Sequence, residues 1–181
     1  SGPLRLLVVG GSLGAKALND TVPQALALIP SGQRPQVVHQ SGEKQIDALR
    51  ANYTAAGVLA ELTPFIDDTA QAFADADLIV CRAGASTVTE IAAVGAAALF
   101  VPFPHAVDDH QTSNARFLCD SGGAWLVPQT ELTPASLAQK LQTLQREQLM
   151  EMAGKAKQME KTNAVAAVVS ACEQLAKVKP A

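Results

Sequence analysis

Short apolar runs alternate along the whole chain with longer stretches in which apolar residues recur every three or four positions. The runs Leu4–Val9, Gln36–Gln40, Val58–Leu62, Leu78–Cys81, Ala97–Val101 and Ala124–Val127 predict six strands. Several are unbroken aliphatic or β-branched stretches, the pattern of strands buried on both faces of a parallel sheet. Between them, Ala15–Leu28, Glu43–Ala56, Asp67–Ala74, Thr87–Val94 and Asp109–Asp120 carry helical periodicity, with Pro23 expected to kink or shorten the first. From Pro134 onward the pattern is helical, with breaks expected near Arg146 and Thr162. Such alternation predicts an α/β fold: a Rossmann-like, open, mostly parallel six-stranded sheet with helices on both faces. Ligands of such sheets bind at the carboxyl ends of the strands, so the loops that follow strands are where chemistry is expected.

Composition narrows the classes. At 181 residues the chain suits one domain, and 48% apolar against 17% charged residues makes it a folded one. An aromatic content of 4% argues against a β-sandwich and against a stacking platform for single-stranded nucleic acid. A net charge of −3 leaves no basic footprint for nucleic acid. Mean hydropathy is slightly positive at +0.13. Even so, the longest apolar run, Ile91–Phe103, is too short for a membrane span and contains Gly95 and Pro102. No signal peptide precedes the first strand. The opening Ser1-Gly2-Pro3, without a Met, reads as a tag remnant (residues 1–3) on a fragment cut from something larger. Three widely spaced cysteines, Cys81, Cys119 and Cys172, with no Cys-x-x-Cys pair, read as reduced thiols of a cytoplasmic protein.

Four loops carry candidate chemistry. Gly10-Gly11-Ser12-Leu13-Gly14 joins the first strand to a helix, where glycines let the backbone approach an anion and the helix start offers unpaired N–H groups. A tight strand-to-helix turn would need glycine in any case. The spacing is not Gly-x-Gly-x-x-Gly, and the second strand ends in His39-Gln40-Ser41-Gly42 without the acid that holds an adenosine ribose, so a dinucleotide enzyme is disfavoured. Cys81-Arg82-Ala83-Gly84-Ala85-Ser86-Thr87-Val88-Thr89-Glu90 is a second glycine turn into a helix. Thr87 and Glu90 have capping-box spacing; alternatively the helix start receives phosphate while Glu90 accepts hydrogen bonds from sugar hydroxyls.

Pro102–Gln111, leading into Thr112–Arg116, places His105, Asp108, Asp109 and His110 between a buried strand and a helix. Their spacing straddles a loop-to-helix boundary and no cysteine supports them, so no metal site is expected; an Asp cap with Gln111 and Asn114 facing a ligand fits better. Thr63-Pro64-Phe65-Ile66-Asp67-Asp68 pairs an apolar Phe-Ile with a helix cap. It could hold a flat base, or simply bury the Phe.

Gly-Gly-Ser-x-Gly-Ala at 10–15, His-Gln-Ser-Gly at 39–42, Phe-Ile-Asp-Asp at 65–68, Cys-Arg-Ala-Gly-Ala-Ser-Thr-Val-Thr-Glu at 81–90 and Asp-His-Gln-x-x-Asn-Ala at 109–115 follow one another in that order. Together they closely resemble the C-terminal half of the MurG family, bacterial glycosyltransferases that add N-acetylglucosamine to lipid I to make lipid II. The resemblance covers nearly the whole chain, and the 81–90 stretch is its most specific part. It implies the C-terminal half of a GT-B fold, with residues 4–181 forming a UDP-N-acetylglucosamine (UDP-GlcNAc) binding domain and the N-terminal acceptor domain absent.

Carried over residue by residue, the resemblance implies that Ser12 faces the diphosphate with its neighbouring glycines, Gly11 and Gly14, in support. Ile66 reads the uracil through its backbone. Ala85, Ser86, Thr87, Val88, Thr89 and Glu90 wrap the phosphates and ribose, with Glu90 on the ribose hydroxyls. Gln111 faces hydroxyls of the sugar, and Arg82 stands beside the site without an assigned contact. No cofactor, metal or catalytic residue is implied for this chain; the base, the lipid I acceptor site and a membrane-docking patch belong to the missing half. The full-length protein is expected to be an inverting hexosyltransferase on the cytoplasmic face of the plasma membrane. The alternatives are another GT-B UDP-sugar protein such as an epimerase or lipid glycosyltransferase, a stand-alone donor-binding subunit needing a membrane partner, and a non-enzymatic nucleotide sensor.

Overall fold

A computed structural model describes residues 2–11, 14–104 and 109–160. Six parallel strands form one sheet: β1 (Arg5–Val9), β2 (Gln36–Gln40), β3 (Glu61–Thr63), β4 (Leu78–Cys81), β5 (Ala98–Phe100) and β6 (Ala124–Leu126), in the spatial order β3-β2-β1-β4-β5-β6. The helices are α1 (Lys16–Ala27), α2 (Ile46–Ala56), α3 (Thr69–Asp75), α4 (Ala85–Val94), α5 (His110–Cys119), α6 (Pro134–Thr143) and α7 (Arg146–Gln158). None of the described helices is long and apolar enough to cross a membrane.

Alternate residues of each central strand feed opposite faces, and both faces are apolar. Leu6, Val8, Val80 and Leu99 pack under α1, α2, α6 and the first half of α7. Leu7, Ile79, Cys81 and Phe100 pack under α3, α4 and α5. Helix α7 spans both layers: Leu149 and Met152 join the first core, Ala156 the second. It passes against Gly123, where a Cβ would stand 2.8 Å from the Ala156 nitrogen. Its first residue, Arg146, pairs with Asp77 and donates to the carbonyls of Gly2 and Pro3.

The boundaries differ from expectation in instructive places. The expected third strand, 58–62, begins three residues late, because Val58 is drawn into the core below α2 and only Glu61–Thr63 reach the register set by Val38–Gln40. A 3₁₀ turn at Glu43–Gln45 precedes α2. Helix α4 starts at Ala85, two residues before the expected Thr87, with Gly84 as its cap in extended conformation. Pro23 lies inside an uninterrupted α1. The break near Arg146 is present, whereas Thr162 lies outside the described residues.

Register sets the level of the loops. Val9 pairs with both Gln40 and Cys81, and Cys81 with Phe100, so Gly10, Ser41, Arg82 and Val101 leave the sheet side by side. The strand order reverses between β1 and β4, and a crevice opens there between the two glycine turns.

Candidate functional site

The crevice is a cleft of ≈ 550 Å³ lined by Gly10, Gly11, Gly14, Ala15, Lys16, Ala17, Gln45, Arg82, Gly84, Thr87, Phe103, Gln111 and Gln129. Two helices start in it. Helix α1 has Ala15 at its cap and α4 has Gly84, and neither cap supplies a side-chain hydrogen bond. The first helical bonds run from Asn19 N–H to Ala15 C=O and from Val88 N–H to Gly84 C=O. The amides of Lys16 and Ala17 therefore precede the α1 ladder, and those of Ser86 and Thr87 the α4 ladder. Two uncapped helix starts on one cleft give it a positive polarity suited to an anion carrying more than one charge.

Side chains reinforce that polarity. Arg82 and Lys16 line the cleft, the Lys16 ammonium already ion-paired with Asp20 one turn on in α1, and no Asp or Glu is among the described lining residues. Arg82 is held firmly: Nη1 donates to the carbonyls of Val101 (2.9 Å) and Pro102 (3.2 Å), and Nη2 to Gln129 Oε1 (2.6 Å). The guanidinium lies over the Phe103 ring, 5.4 Å from its centre. Burial pulls its pKa down, but an arginine remains charged at neutral pH. Its partners are neutral acceptors, so its positive charge is not cancelled beside the cleft it lines. Gln111 Oε1 accepts from the Phe103 N–H at 2.9 Å. That bond engages the oxygen of the amide, so what Gln111 retains to offer as a lining residue of the cleft is its NH₂ group, a donor.

The glycine turn is built from beneath. Gly14 has φ +76°, and a Cβ there would stand 2.3 Å from the Ser41 carbonyl. Behind it runs a buried polar chain. Tyr53 OH lies 3.0 Å from His39 Nδ1, and His39 Nε2 lies 2.9 Å from Asn19 Oδ1. Asn19 Nδ2 donates to Gln45 Oε1 at 2.7 Å. Asn19 Oδ1 accepts, which assigns the ring proton to Nε2 and makes the Tyr53 hydroxyl the donor to Nδ1. Burial pulls the His39 imidazole down to about 3, so it is neutral at physiological pH.

Of the residues expected at the site, Gly11, Gly14, Thr87 and Gln111 line the cleft together. Ala85, Val88 and Thr89 instead line a smaller hollow of ≈ 220 Å³ between α4 and α5, and the Thr89 hydroxyl donates to Ala85 C=O. Ser86 and Glu90 are exposed on α4. The Ile66 side chain faces a groove of ≈ 630 Å³ over β1–β3. That groove is the larger opening, but its apolar lining is joined by Glu61 and Asp75, carboxylates that would repel an anion, and it contains neither glycine turn nor helix start. Ser12, His105 and Asp108 lie outside the described residues.

The capping-box reading of Thr87 and Glu90 does not hold, because the cap position of α4 is Gly84, three residues before Thr87. Asp68 caps α3 by accepting the Gln71 N–H at 2.9 Å. Asp109 stands at the α5 cap position but accepts from the Thr112 hydroxyl (2.6 Å) and not from a main-chain amide. Lys16, Gln45 and Gln129 were not singled out from the sequence. Gln129 follows β6, so a search of every loop after a strand would have reached it.

The model for the glycosyltransferase family 28 C-terminal domain matches residues 5–169. A UDP-N-acetylglucosamine–N-acetylmuramyl-(pentapeptide) pyrophosphoryl-undecaprenol N-acetylglucosamine transferase of Paracidovorax citrulli is 75% identical over 96% of this chain and 49% of its own length. A protein of the same description from an Azoarcus species is 64% identical over 100% of the chain and 51% of its own length. The chain thus spans about half the length of these curated relatives. Among solved structures, Acinetobacter baumannii MurG superposes with a TM-score of 0.88 at 48% identity, over 96% of this chain and 52% of that one.

Proposed function

The chain belongs to the glycosyltransferase family 28 C-terminal domain family, and from that premise we propose that it is the donor-binding half of an enzyme that transfers N-acetylglucosamine from UDP-GlcNAc to lipid I, forming lipid II. The observation that carries this reading is the cleft with two uncapped helix starts, the Arg82 guanidinium on neutral partners, and no carboxylate among its described lining residues. A sugar nucleotide brings two adjacent phosphates, and transfer leaves a further negative charge on the departing UDP. Preorganised N–H groups and a fixed guanidinium stabilise that charge where it develops, without solvent reorganisation.

In this reading the diphosphate lies between the α1 and α4 starts, around Ser12, Gly11 and Gly14. The uracil meets the backbone of Ile66, and Glu90 holds the ribose from the residue 85–90 helix start. Gln111 donates to the sugar. The acceptor hydroxyl, the base and the membrane contact come from the half of the enzyme that precedes this domain, which works at the cytoplasmic face of the membrane in peptidoglycan synthesis. Inversion follows from an acceptor attacking the anomeric carbon on the side opposite UDP.

Calorimetric titration of the chain with UDP, UDP-GlcNAc, UDP-glucose and NAD tests the reading. UDP and UDP-GlcNAc should bind and raise the melting temperature, since a ligand at a hundredfold excess over its Kd stabilises by about 2.7 kcal/mol. UDP-GlcNAc should bind more tightly than UDP-glucose. Binding of NAD without binding of UDP would overturn the assignment.

A further inference from the structure

Gln40 is the last residue of β2, where dinucleotide-binding sheets place the acid that takes a ribose. It is buried, and its amide does something else. Gly11 N–H donates to Gln40 Oε1 at 3.0 Å, and Gln40 Nε2 donates back to Gly11 C=O at 3.1 Å. The same nitrogen donates to Pro64 C=O at 2.8 Å. Below this pair, Gly10 N–H donates to the Gln40 main-chain carbonyl at 3.0 Å. The side chain thus prolongs the β1–β2 ladder by one step and ties it to the loop after β3. The amide orientation is fixed by its partners, because a flipped amide would set its oxygen against two carbonyls.

Two consequences follow. The Gly11 N–H is occupied and does not face a ligand, so among the described residues here the amides left for an anion are those at the start of α1. Gly14 N–H also donates to Gly11 C=O, at 3.0 Å, so the path into α1 hangs on the residue that Gln40 holds. Pro64, on the other side, immediately precedes Phe65-Ile66. We propose that Gln40 is a positioning residue that couples the diphosphate-facing turn to the base-facing loop, so that the two halves of a nucleoside diphosphate are gripped as one. This rests on the donor-binding reading given above.

Three measurements test it on this chain. Gln40→Met keeps the side-chain volume and removes all three hydrogen bonds; well below its melting temperature it should bind UDP 10-fold or more weakly than wild type. Gln40→Glu should be weaker still at about pH 8, and its deficit relative to wild type should shrink toward about pH 5, as the introduced carboxyl takes a proton and regains one donor. In wild type, hydrogen exchange should find the Gly11 amide protected with and without UDP, while UDP shifts the Lys16 and Ala17 amide resonances. The exchange experiment needs no variant to fold. If both variants bind UDP within twofold of wild type at every pH, or if UDP draws the Gly11 amide away from Gln40, the coupling role is wrong. Failure of wild type to bind UDP would instead remove the donor-binding reading on which it stands.

Discussion

Asn52 donates its side-chain amide to the main-chain carbonyl of Asn19 at 3.0 Å. That carbonyl would ordinarily accept from the N–H four residues on, but the residue there is Pro23, which has none. A side chain from α2 thus supplies the bond that proline withholds, and α1 runs on through Ala27. The second hydrogen of the same amide reaches Asp20 Oδ1 at 3.1 Å, fixing the α1–α2 contact.

This arrangement predicts a coupled pair of substitutions. Asn52→Ala should cost about 1–2 kcal/mol, the penalty for leaving a part-buried carbonyl unsatisfied. In a Pro23→Ala background the cost should be clearly smaller, because the restored N–H satisfies Asn19 directly. Urea unfolding of the four proteins measures the interaction energy. Equal penalties in both backgrounds would show that Asn52 does not replace the missing donor.

His39 sets a pH dependence. Its imidazole is held neutral by burial, with a pKa of about 3, against an ordinary 6.5 in the unfolded chain. The folded-state value is depressed, so the stabilising contribution is complete above pH 6.5 and is lost as pH falls toward 3, with the unfolded state taking the proton first. Within that window the loss should approach about 1.4 kcal/mol per pH unit. Denaturant titrations at about pH 7, 6 and 5 should show this slope, and His39→Gln should flatten it. An unchanged slope in the variant would mean that other groups carry the acid sensitivity.

The strands were legible because most are buried on both sides and announce themselves as uninterrupted apolar runs; of the residues expected in the loops after them, Gly11, Gly14, Thr87 and Gln111 line the cleft, whereas Ile66, Ala85, Val88 and Thr89 line other openings. What escaped depended on partners distant in sequence. Nothing near Pro23 shows that Asn52 will rescue the helix, and nothing near Gln40 shows that its amide will close onto Gly11. The start of α4 was misplaced for a local reason: Thr87 and Glu90 carry the stronger capping signature, whereas the actual cap, Gly84, has no side chain to advertise itself. The third strand was misplaced because its pairing is dictated by where β2 ends.

The two left-handed glycines of the first turn should respond differently to a methyl group. Gly11 has φ +78° with nothing within 4 Å of a new Cβ, so Gly11→Ala should cost only the conformational strain, about 1–2 kcal/mol. At Gly14 the Cβ would also collide with the Ser41 carbonyl at 2.3 Å and with Gln45 Nε2 at 2.6 Å. Gly14→Ala should therefore cost about 3 kcal/mol or more, and should weaken UDP binding through the displaced start of α1. Similar stabilities for the two variants would show that the turn can shift to accommodate both.

Glu90 offers the sharpest separation of stability from binding. It lies in α4 beyond the first turn, exposed, and the cap position of the helix is Gly84, six residues before it. A capping role would have made Glu90→Ala destabilising by about 0.5–2 kcal/mol. Without that role the substitution replaces one good helix former by a better one, and unfolding stability should move by no more than about 0.5 kcal/mol. If the carboxylate accepts both ribose hydroxyls, each charge-assisted bond contributes about 1.5–3 kcal/mol, and its removal should weaken UDP and UDP-GlcNAc alike by roughly 10-fold or more. A 2′,3′-dideoxy analogue of UDP should bind the wild-type chain as poorly as UDP binds the variant, and should lose nothing further on the variant. Calorimetry of the four combinations closes the cycle. Wild-type affinity for the dideoxy analogue equal to that for UDP would remove Glu90 from the ribose and leave it as a surface residue of α4.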